Sequence, residues 1–285
     1  MQNENESEIY INPEEEHLMI IPGFDGNYQT MNHVSERLNI LAATLQLEPD
    51  FDQSITEIAN RLMNVRLIIK VRIHLKSKFY ILGYSFGVNV ALELAALLEK
   101  EGKTGVVFCL DSSPDALKIQ LNAYLGPMTD QELQNSLIEH IYNLLTGQTS
   151  TELTTKLEGV VDWSEKINLC IDIVKNSVTY THEFLRSLVH VSYRRVVMAK
   201  EYEPRMKLES ELVLMKGIPH PKAKKLSDDY GLSKYSTKPI KVFDLKADHV
   251  NALQDCRISN IVNKMLEPGL LEEFKKKNLC KYYFA

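Results

Sequence analysis

The stretch FYILGYSFGVNVALELAALLEK, residues 79–100, decides how this chain folds. It begins with four consecutive apolar residues, passes through a turn bounded by Gly83 and Gly87, and continues into a run rich in Ala and Leu. A short continuous apolar run is typical of a buried parallel strand. The run at 88–100 is apolar on almost every side, which predicts a buried helix.

Four further apolar runs resemble the first, and they lie at residues 18–21, 106–110, 212–215 and 242–245. A strand, a tight turn, a buried helix and a second strand form a βαβ unit. Several such units predict an α/β fold with a mostly parallel sheet and helices on both faces. Residues 67–75 fit either a strand or a helix, because β-branched residues alternate with polar ones in an otherwise helical context.

Two segments lie outside this strand and helix pattern. Residues 1–16 hold six Glu and no Lys, Arg or Asp, which predicts an acidic linker or a disordered terminus before a folded domain at 17–285. Residues 116–203 contain no convincing strand and repeat apolar residues at helical spacing, so we expect an inserted helical lid subdomain there.

Charge and composition exclude several functional classes. Removing the six N-terminal negative charges from the net charge of −5 leaves +1, and so nearly neutral a body argues against a nucleic-acid surface. The Lys-rich runs at 222–225 and 275–277 are typical of solvated faces. The sequence lacks a signal-peptide pattern and a long apolar stretch, so we expect a cytoplasmic protein without a membrane span.

The four cysteines are too dispersed for a metal site. Cys109, Cys170, Cys256 and Cys280 form no Cys-x-x-Cys pair, which predicts free and mostly buried thiols. We therefore expect neither a bound metal nor a cofactor.

Gly-x-Ser-x-Gly at 83–87 predicts a nucleophilic serine. The pentapeptide alone is a weak signal, but here it joins a predicted strand directly to a buried helix, which is the elbow of the α/β-hydrolase fold. Ser85 has to adopt a strained backbone conformation at this turn, and the two glycines leave the space that a β-carbon would occupy.

A serine hydroxyl needs a base to remove its proton, and histidine has a suitable pKa. Among eight histidines, His249 follows the last apolar run and should lie at the carboxyl end of that strand. His220, which follows the run at 212–215, is the alternative. The remaining histidines lie before the first strand, in segments that are helical or ambiguous, or in the predicted lid.

Asp111 is the candidate that would orient the base, because it ends the strand next to that of the nucleophile. Asp228 or Asp229 is an alternative in hydrolases that carry the acid later in the chain. Asp248 adjoins His249, and neighbouring side chains in an extended loop usually point apart. A structural alternative for Asp111 is to cap a helix that begins near residue 113.

Negative charge on the attacked carbonyl requires hydrogen-bond donors in an oxyanion hole. One donor in this fold is the backbone N–H of the residue after the nucleophile, here Phe86. The second normally comes from the loop after an early strand, and Phe24 within Pro-Gly-Phe-Asp-Gly at 22–26 is the candidate. As a plain turn this loop would need no function.

Several motifs together resemble the thioesterase domain of animal-type fatty acid synthases, over residues 17–254. Gly-Tyr-Ser-Phe-Gly at 83–87 is similar to that family's nucleophile motif, Leu-Asp-Ser-Ser-Pro at 110–114 to its Phe-Asp-Gly-Ser-Pro, and Ala-Asp-His at 247–249 to its Gly-Asp-His. The segments at 200–204 and 229–233 also resemble family segments. The chain departs from the family at 21–26, where a His-Pro pair is common, at Ser112, and at 67–76.

The resemblance implies an α/β-hydrolase fold with Ser85, Asp111 and His249 as the catalytic triad and Phe24 and Phe86 as the oxyanion donors. It also implies release of a long-chain fatty acid from the phosphopantetheine of an acyl carrier protein, within or beside a multidomain synthase. A free-standing editing thioesterase and a catalytically silent hydrolase fold that binds a lipid or a protein are the alternatives.

Overall fold

The computed structural model describes residues 17–26, 28–47, 54–73, 78–125, 128–175, 178, 180–219, 226–266 and 281–284. The predicted acidic segment 1–16, both Lys-rich runs and Cys280 lie outside the described residues.

The described residues form seven strands in one sheet. The strands are β1 (His17–Ile21), β2 (Leu41–Gln46), β3 (Phe79–Tyr84), β4 (Gly105–Leu110), β5 (Glu211–Ile218), β6 (Lys241–Asp248) and β7 (Lys281–Phe284). Their order across the sheet is β6-β5-β4-β3-β1-β2-β7, and each neighbouring pair is parallel. The predicted α/β class with its mostly parallel sheet is therefore confirmed.

Helices connect these parallel strands. They are α1 (Asn32–Ser35), α2 (Ile55–Leu62), α3 (Arg66–Ile73), α4 (Phe86–Lys100), α5 (Pro114–Leu125), α6 (Asp130–Thr146), α7 (Thr151–Glu158), α8 (Trp163–Val174), α9 (His182–Glu201) and α10 (Arg257–Leu266). Short 3-10 helices lie at Tyr28–Met31, Leu232–Tyr235 and Ala252–Gln254. No helix within the described ranges is long and apolar enough to cross a membrane.

Alternate residues of each central strand enter two separate hydrophobic clusters. In β3, Ile81 packs with α2, α3 and α4 on one face of the sheet, whereas Leu82 packs with α1 and α10 on the other. Both side chains are fully buried. Because both faces are covered, the central strands β1, β3, β4 and β5 each contain at least four consecutive apolar residues, and this explains the continuous apolar runs in the sequence.

The elements that the sequence left ambiguous or did not predict include α3, β2 and β7. The ambiguous segment forms the helix α3, with Leu67 and Ile68 buried and Ile73 72% exposed. The helix penalty of β-branched residues is only tenths of a kcal/mol, so burial of one side outweighs it. Strand β2 was not predicted, because its sequence LAATLQ contains two alanines, which are depleted in strands.

Helices α5–α9 lie between β4 and β5, and apart from the first two residues of α5 they fall in the segment 116–203 that was predicted to be a lid. We refer to them as the insertion helices. Helix α6 begins with a capping box between Thr129 and Glu132 and ends at Gly147 in the left-handed conformation. The division of the chain into a terminus, a domain and a lid stays a prediction.

The turn from β3 to α4 depends on close backbone approach at Gly87. A β-carbon on Gly87 would collide with the carbonyl oxygens of Ile21 and Pro22 at the end of β1. A β-carbon on Gly83 would lie 2.5 Å from the Gly87 carbonyl oxygen. The two glycines therefore allow the first turn of α4 to pack directly against the backbone that follows β1.

We expect Gly87→Ala to lower the free energy of unfolding by about 1–3 kcal/mol, because an added methyl group forces the backbone apart at a fully packed site. Gly159→Ala is the matched control. Gly159 has helical φ and nothing within 4 Å of its β-carbon position, so its unfolding free energy should change by less than about 0.5 kcal/mol. Urea denaturation measures both, and equal values for the two variants would contradict the packing argument.

Candidate active site

Ser85 lies at the sharp turn between β3 and α4. Its backbone has φ 54° and ψ −121°, a strained combination for a residue with a β-carbon. Its N–H donates to the carbonyl of Leu110 at the end of the neighbouring strand β4, at 3.3 Å. The residue is only 3% exposed, and its Oγ is placed at the carboxyl edge of the sheet, as the pentapeptide motif predicts.

His249 is the first residue after β6, and its ring reaches Ser85. The Nε2–Oγ distance is 3.0 Å, and the Nδ1 atom lies 2.9 Å from Asp111 Oδ2. An ionised carboxylate can only accept, so Nδ1 carries the ring hydrogen and Nε2 is left to accept from the serine hydroxyl. The tautomer required for a general base therefore follows from the carboxylate contact.

Asp111 follows β4 directly and is 2% exposed. Besides His249, its carboxylate accepts hydrogen bonds at Oδ1 from the N–H of Gly217, at 2.6 Å, and from the hydroxyl of Tyr230, at 3.0 Å. Three donors for one buried carboxylate compensate for its removal from water. Asp111 also does not cap α5, because the Ala116 N–H donates to Ser113 Oγ instead.

Tyr230 and Gly217 are supporting residues that the sequence reasoning did not identify. Burial, followed by the nearby charge of Asp111, raises the pKa of the Tyr230 hydroxyl far above its ordinary value, so it remains a donor. The available signal was the resemblance of segment 229–233 to a known family, which marked the segment without giving Tyr230 a role. Gly217 acts through its backbone, which no side-chain pattern reveals.

Tyr84 is a third residue that the motif alone did not explain. Its hydroxyl donates to the carbonyl oxygen of His249 at 2.8 Å, and its ring stacks on the imidazole with centroids 5.2 Å apart. Burial, together with the charges of Asp111 and other carboxylates, raises the pKa of this phenol well above its ordinary value. The residue before Ser85 therefore fixes the loop that carries His249.

The alternative acids occupy other positions. Asp248 accepts from the backbone and side chain of Asn251, and so helps to shape the turn after β6. Asp229 accepts from Ser227, Gly231 and Ser233 within its own turn. Of the histidines, the structure brings His249 to Ser85, whereas His74 and His220 lie outside the described residues.

The two residues predicted to supply the oxyanion donors are neighbours in the structure. The rings of Phe24 and Phe86 are 5.3 Å apart, and the ideal β-carbon position of Gly23 is 3.5 Å from Ser85 Cβ. Phe86 is the first residue of α4, so its N–H has no partner within the helix. The loop is closed by a hydrogen bond from the Gly26 N–H to the Gly23 carbonyl at 3.0 Å.

No cluster of three or more His, Cys, Asp or Glu suited to a metal ion occurs in the described part of the chain. Cys109 and Cys170 are buried free thiols, and burial raises the pKa of each, to about 12 and about 11. Cys256 is free and exposed. Since the thiolate is the reactive form, the two buried cysteines are unreactive at neutral pH.

This geometry can support nucleophilic chemistry. The three side chains form one continuous hydrogen-bonded series, from serine to imidazole to carboxylate. In such a series the base accepts the serine proton during attack, and the carboxylate stabilises the imidazolium that results.

No protein-family model matches the sequence. Similar solved structures include a four-domain nonribosomal peptide synthetase, holo-AB3403 bound to AMP and glycine, with a TM-score of 0.71 and 14% identity. The match covers 89% of this chain and 19% of that synthetase, so the chain spans about a fifth of its length.

Two isolated thioesterase domains are also similar. The Vlm2 thioesterase domain bound with a dodecadepsipeptide has a TM-score of 0.61 and 15% identity, over 90% of this chain and 93% of that one. The NocB thioesterase domain, in covalent complex with a fluorophosphonate nocardicin G analogue, has a TM-score of 0.53 and 15% identity. That match covers 88% of this chain and 95% of the NocB domain. At these identities the likeness establishes a shared fold, and that fold is found in thioesterase domains.

Tyr230, which donates to Asp111, follows directly after Asp229, whose carboxylate accepts hydrogen bonds within the same turn. Burial acts to raise the pKa of Asp229, but hydrogen bonds from Ser233, Gly231 and Ser227 outweigh it and lower the pKa to about 2. A lowered pKa stabilises the folded state above the unfolded carboxyl value of about 3.9, and this stabilisation is lost as the pH falls toward 2.

We therefore expect Asp229→Asn to lower the free energy of unfolding at pH 7 by about 1 kcal/mol or less, because solvent screens this partly exposed carboxylate, with a smaller difference from wild type as the pH falls below 4. Asp228→Asn is the control, because Asp228 is fully exposed and its carboxylate lies as far as 3.9 Å from Lys216 Nζ. Denaturant titrations at pH 7, 4 and 3 measure the differences. If Asp229→Asn lowered the free energy of unfolding by the same amount at all three pH values, the lowered pKa of Asp229 would be contradicted.

Proposed function

We propose that the chain is a serine thioesterase that hydrolyses an acyl group from the phosphopantetheine thiol of a carrier protein. The observation that carries the proposal is the hydrogen-bonded series of Ser85, His249 and Asp111 at a strained strand-to-helix turn. The fold shared with thioesterase domains supports the choice of a thioester over other acyl compounds. No cofactor is needed for this reaction.

The reaction proceeds in two steps. His249 Nε2 accepts the Ser85 proton as Oγ attacks the thioester carbonyl, and the protonated imidazole then gives that proton to the leaving thiolate. The same nitrogen then accepts a proton from water as the water oxygen attacks the acyl-serine carbonyl, and it returns that proton to Ser85 Oγ as the ester bond breaks and the carboxylic acid is released. Backbone N–H groups of Phe24 and Phe86 stabilise the oxyanion in both steps.

For the acyl group we propose a long-chain fatty acid, released as the last step of a fatty acid synthase in the cytoplasm. The motifs at 83–87, 110–114 and 247–249 support this choice, because together they resemble those of fatty acid synthase thioesterases. A second candidate is an editing thioesterase that serves a peptide or polyketide synthase. It is favoured by the similar folds, which include a nonribosomal peptide synthetase and a thioesterase domain bound with a dodecadepsipeptide.

Replacing Ser85 by Ala tests the serine mechanism. We expect hydrolysis of long-chain acyl thioesters to fall by at least about 10⁴-fold, because the nucleophile is lost while the rest of the site remains. A fluorophosphonate probe should label wild type at Ser85, read by mass spectrometry, and should not label the variant. The control is Ser35→Ala, a buried serine of α1 whose hydroxyl donates to the Asn32 carbonyl. Unlabelled wild type would favour a silent, lipid-binding hydrolase fold.

Acyl chain length separates the two thioesterase candidates. We expect kcat/KM for palmitoyl-pantetheine to exceed that for acetyl-pantetheine by at least about 10-fold, since each additional buried methylene group stabilises the complex by about 0.8 kcal/mol. Steady-state thiol release measures both substrates. A preference for the short chain would exclude the fatty acid assignment in favour of the editing enzyme.

A further inference from the structure

We propose that Arg195, in the last insertion helix α9, is a positioning residue that holds both halves of the oxyanion hole. The proposal rests on the serine mechanism above and goes beyond it, since it adds a side chain from the insertion to the machinery of the hydrolase sheet. Arg195 is one of the largest fully buried side chains among the described residues, at 1% exposure. A guanidinium this deep has to be held by specific hydrogen bonds.

The guanidinium forms two hydrogen bonds with backbone carbonyls on different segments. Nη1 donates to the carbonyl of Phe24 at 2.8 Å, and Nη2 donates to that of Leu47, just after β2, at 3.0 Å. The Phe24 contact lies in the loop that is proposed to supply the second oxyanion N–H. Arg195 therefore ties that loop to the end of β2.

The same guanidinium also contacts the other half of the oxyanion hole. Its Cζ atom lies 5.8 Å from the centre of the Phe86 ring, within the range of a cation–π interaction. The Phe86 ring in turn packs on that of Phe24. One side chain thus contacts both residues whose N–H groups are proposed to stabilise the oxyanion.

The loop is shaped to accept this side chain. Gly26 has φ +67°, and a β-carbon there would collide with Arg195 Nη1 and approach Nη2 to 2.9 Å. Its carbonyl accepts from the Leu47 N–H at 3.3 Å, so the loop and the end of β2 are also joined directly. Glycine is therefore needed at 26 both for its backbone conformation and for the space that the guanidinium fills.

Arginine fits this position and lysine does not. The planar guanidinium presents donors in a rigid fork that can reach two carbonyls at once, whereas an ammonium group is a single point on a flexible stem. An oxyanion donor stabilises charge that develops only in the transition state, so it lowers the activation barrier only when it is placed accurately. A small displacement of the donor therefore slows the reaction. Loss of the fork should therefore slow the reaction without weakening substrate binding.

The test measures kcat and KM for the acyl thioester per active serine, with active serines counted by the end point of fluorophosphonate labelling. For Arg195→Met we expect kcat to fall about 10- to 100-fold with KM changed by less than about 3-fold. For Arg195→Lys we expect a smaller fall in kcat, of about 3- to 10-fold. This variant alone decides the test if Arg195→Met does not fold. A purely structural role would lower the number of labelled serines and leave kcat per serine unchanged.

Arg194→Met is the matched control, because Arg194 neighbours Arg195 on α9 but is only half-buried, and its kcat per serine should equal that of wild type. The rate of phosphonylation gives a second measure, since the phosphoryl oxygen of the probe requires the same donors. If kcat per serine in Arg195→Met and Arg195→Lys stays within 2-fold of wild type, the proposal is wrong.

The same experiment keeps this proposal distinct from the proposed function. If wild type is labelled at Ser85 but releases no thiol, the thioesterase assignment fails, and the labelling rates of the Arg195 variants still decide the role of Arg195. If wild type is not labelled at all, both proposals are overturned.

Discussion

The steric fit between the first turn of α4 and the end of β1 is the constraint on which the site depends. Without a β-carbon at Gly87, the helix backbone approaches the carbonyls of Ile21 and Pro22. This contact turns the chain so sharply that Ser85 takes a positive φ and its hydroxyl stands above the sheet edge. The same turn places the Phe86 ring beside that of Phe24, so one backbone contact positions the candidate nucleophile and the two residues of the proposed oxyanion hole together.

The order of parallel strands places the remaining groups. Ser85, Asp111 and His249 follow β3, β4 and β6, and β5 lies between the last two. That intervening strand contributes through its backbone, because the Gly217 N–H donates to the Asp111 carboxylate. Since the carboxyl ends of parallel strands share one edge, residues far apart in sequence meet without any long loop.

The sequence predicts those features that are repeated along the chain or confined to a short motif. Strand β3 and helix α4 are apolar on almost every side, so their burial can be read directly from residues 79–100. Strand β2 is defined mainly by its pairing with β1, which local propensity does not encode. In the same way, Arg195 and Arg194 look alike in sequence, and only the approach of α9 to the loop at 22–26 distinguishes the buried one.

Backbone strain in the described residues is concentrated at the site. The non-glycine residues with positive φ there are Ser85, Asp111 and Tyr230, two members of the candidate triad and the tyrosine that supports its acid. Strain of about 1–3 kcal/mol per residue persists only where surrounding contacts impose the conformation. Asp111 is held through its N–H and both carboxylate oxygens, and Tyr230 by Asp229's turn and a hydrogen bond from Ser113. The folded chain therefore bears the energetic cost of arranging the candidate triad in advance, and such an arrangement is what electrostatic preorganisation would require of the proposed enzyme.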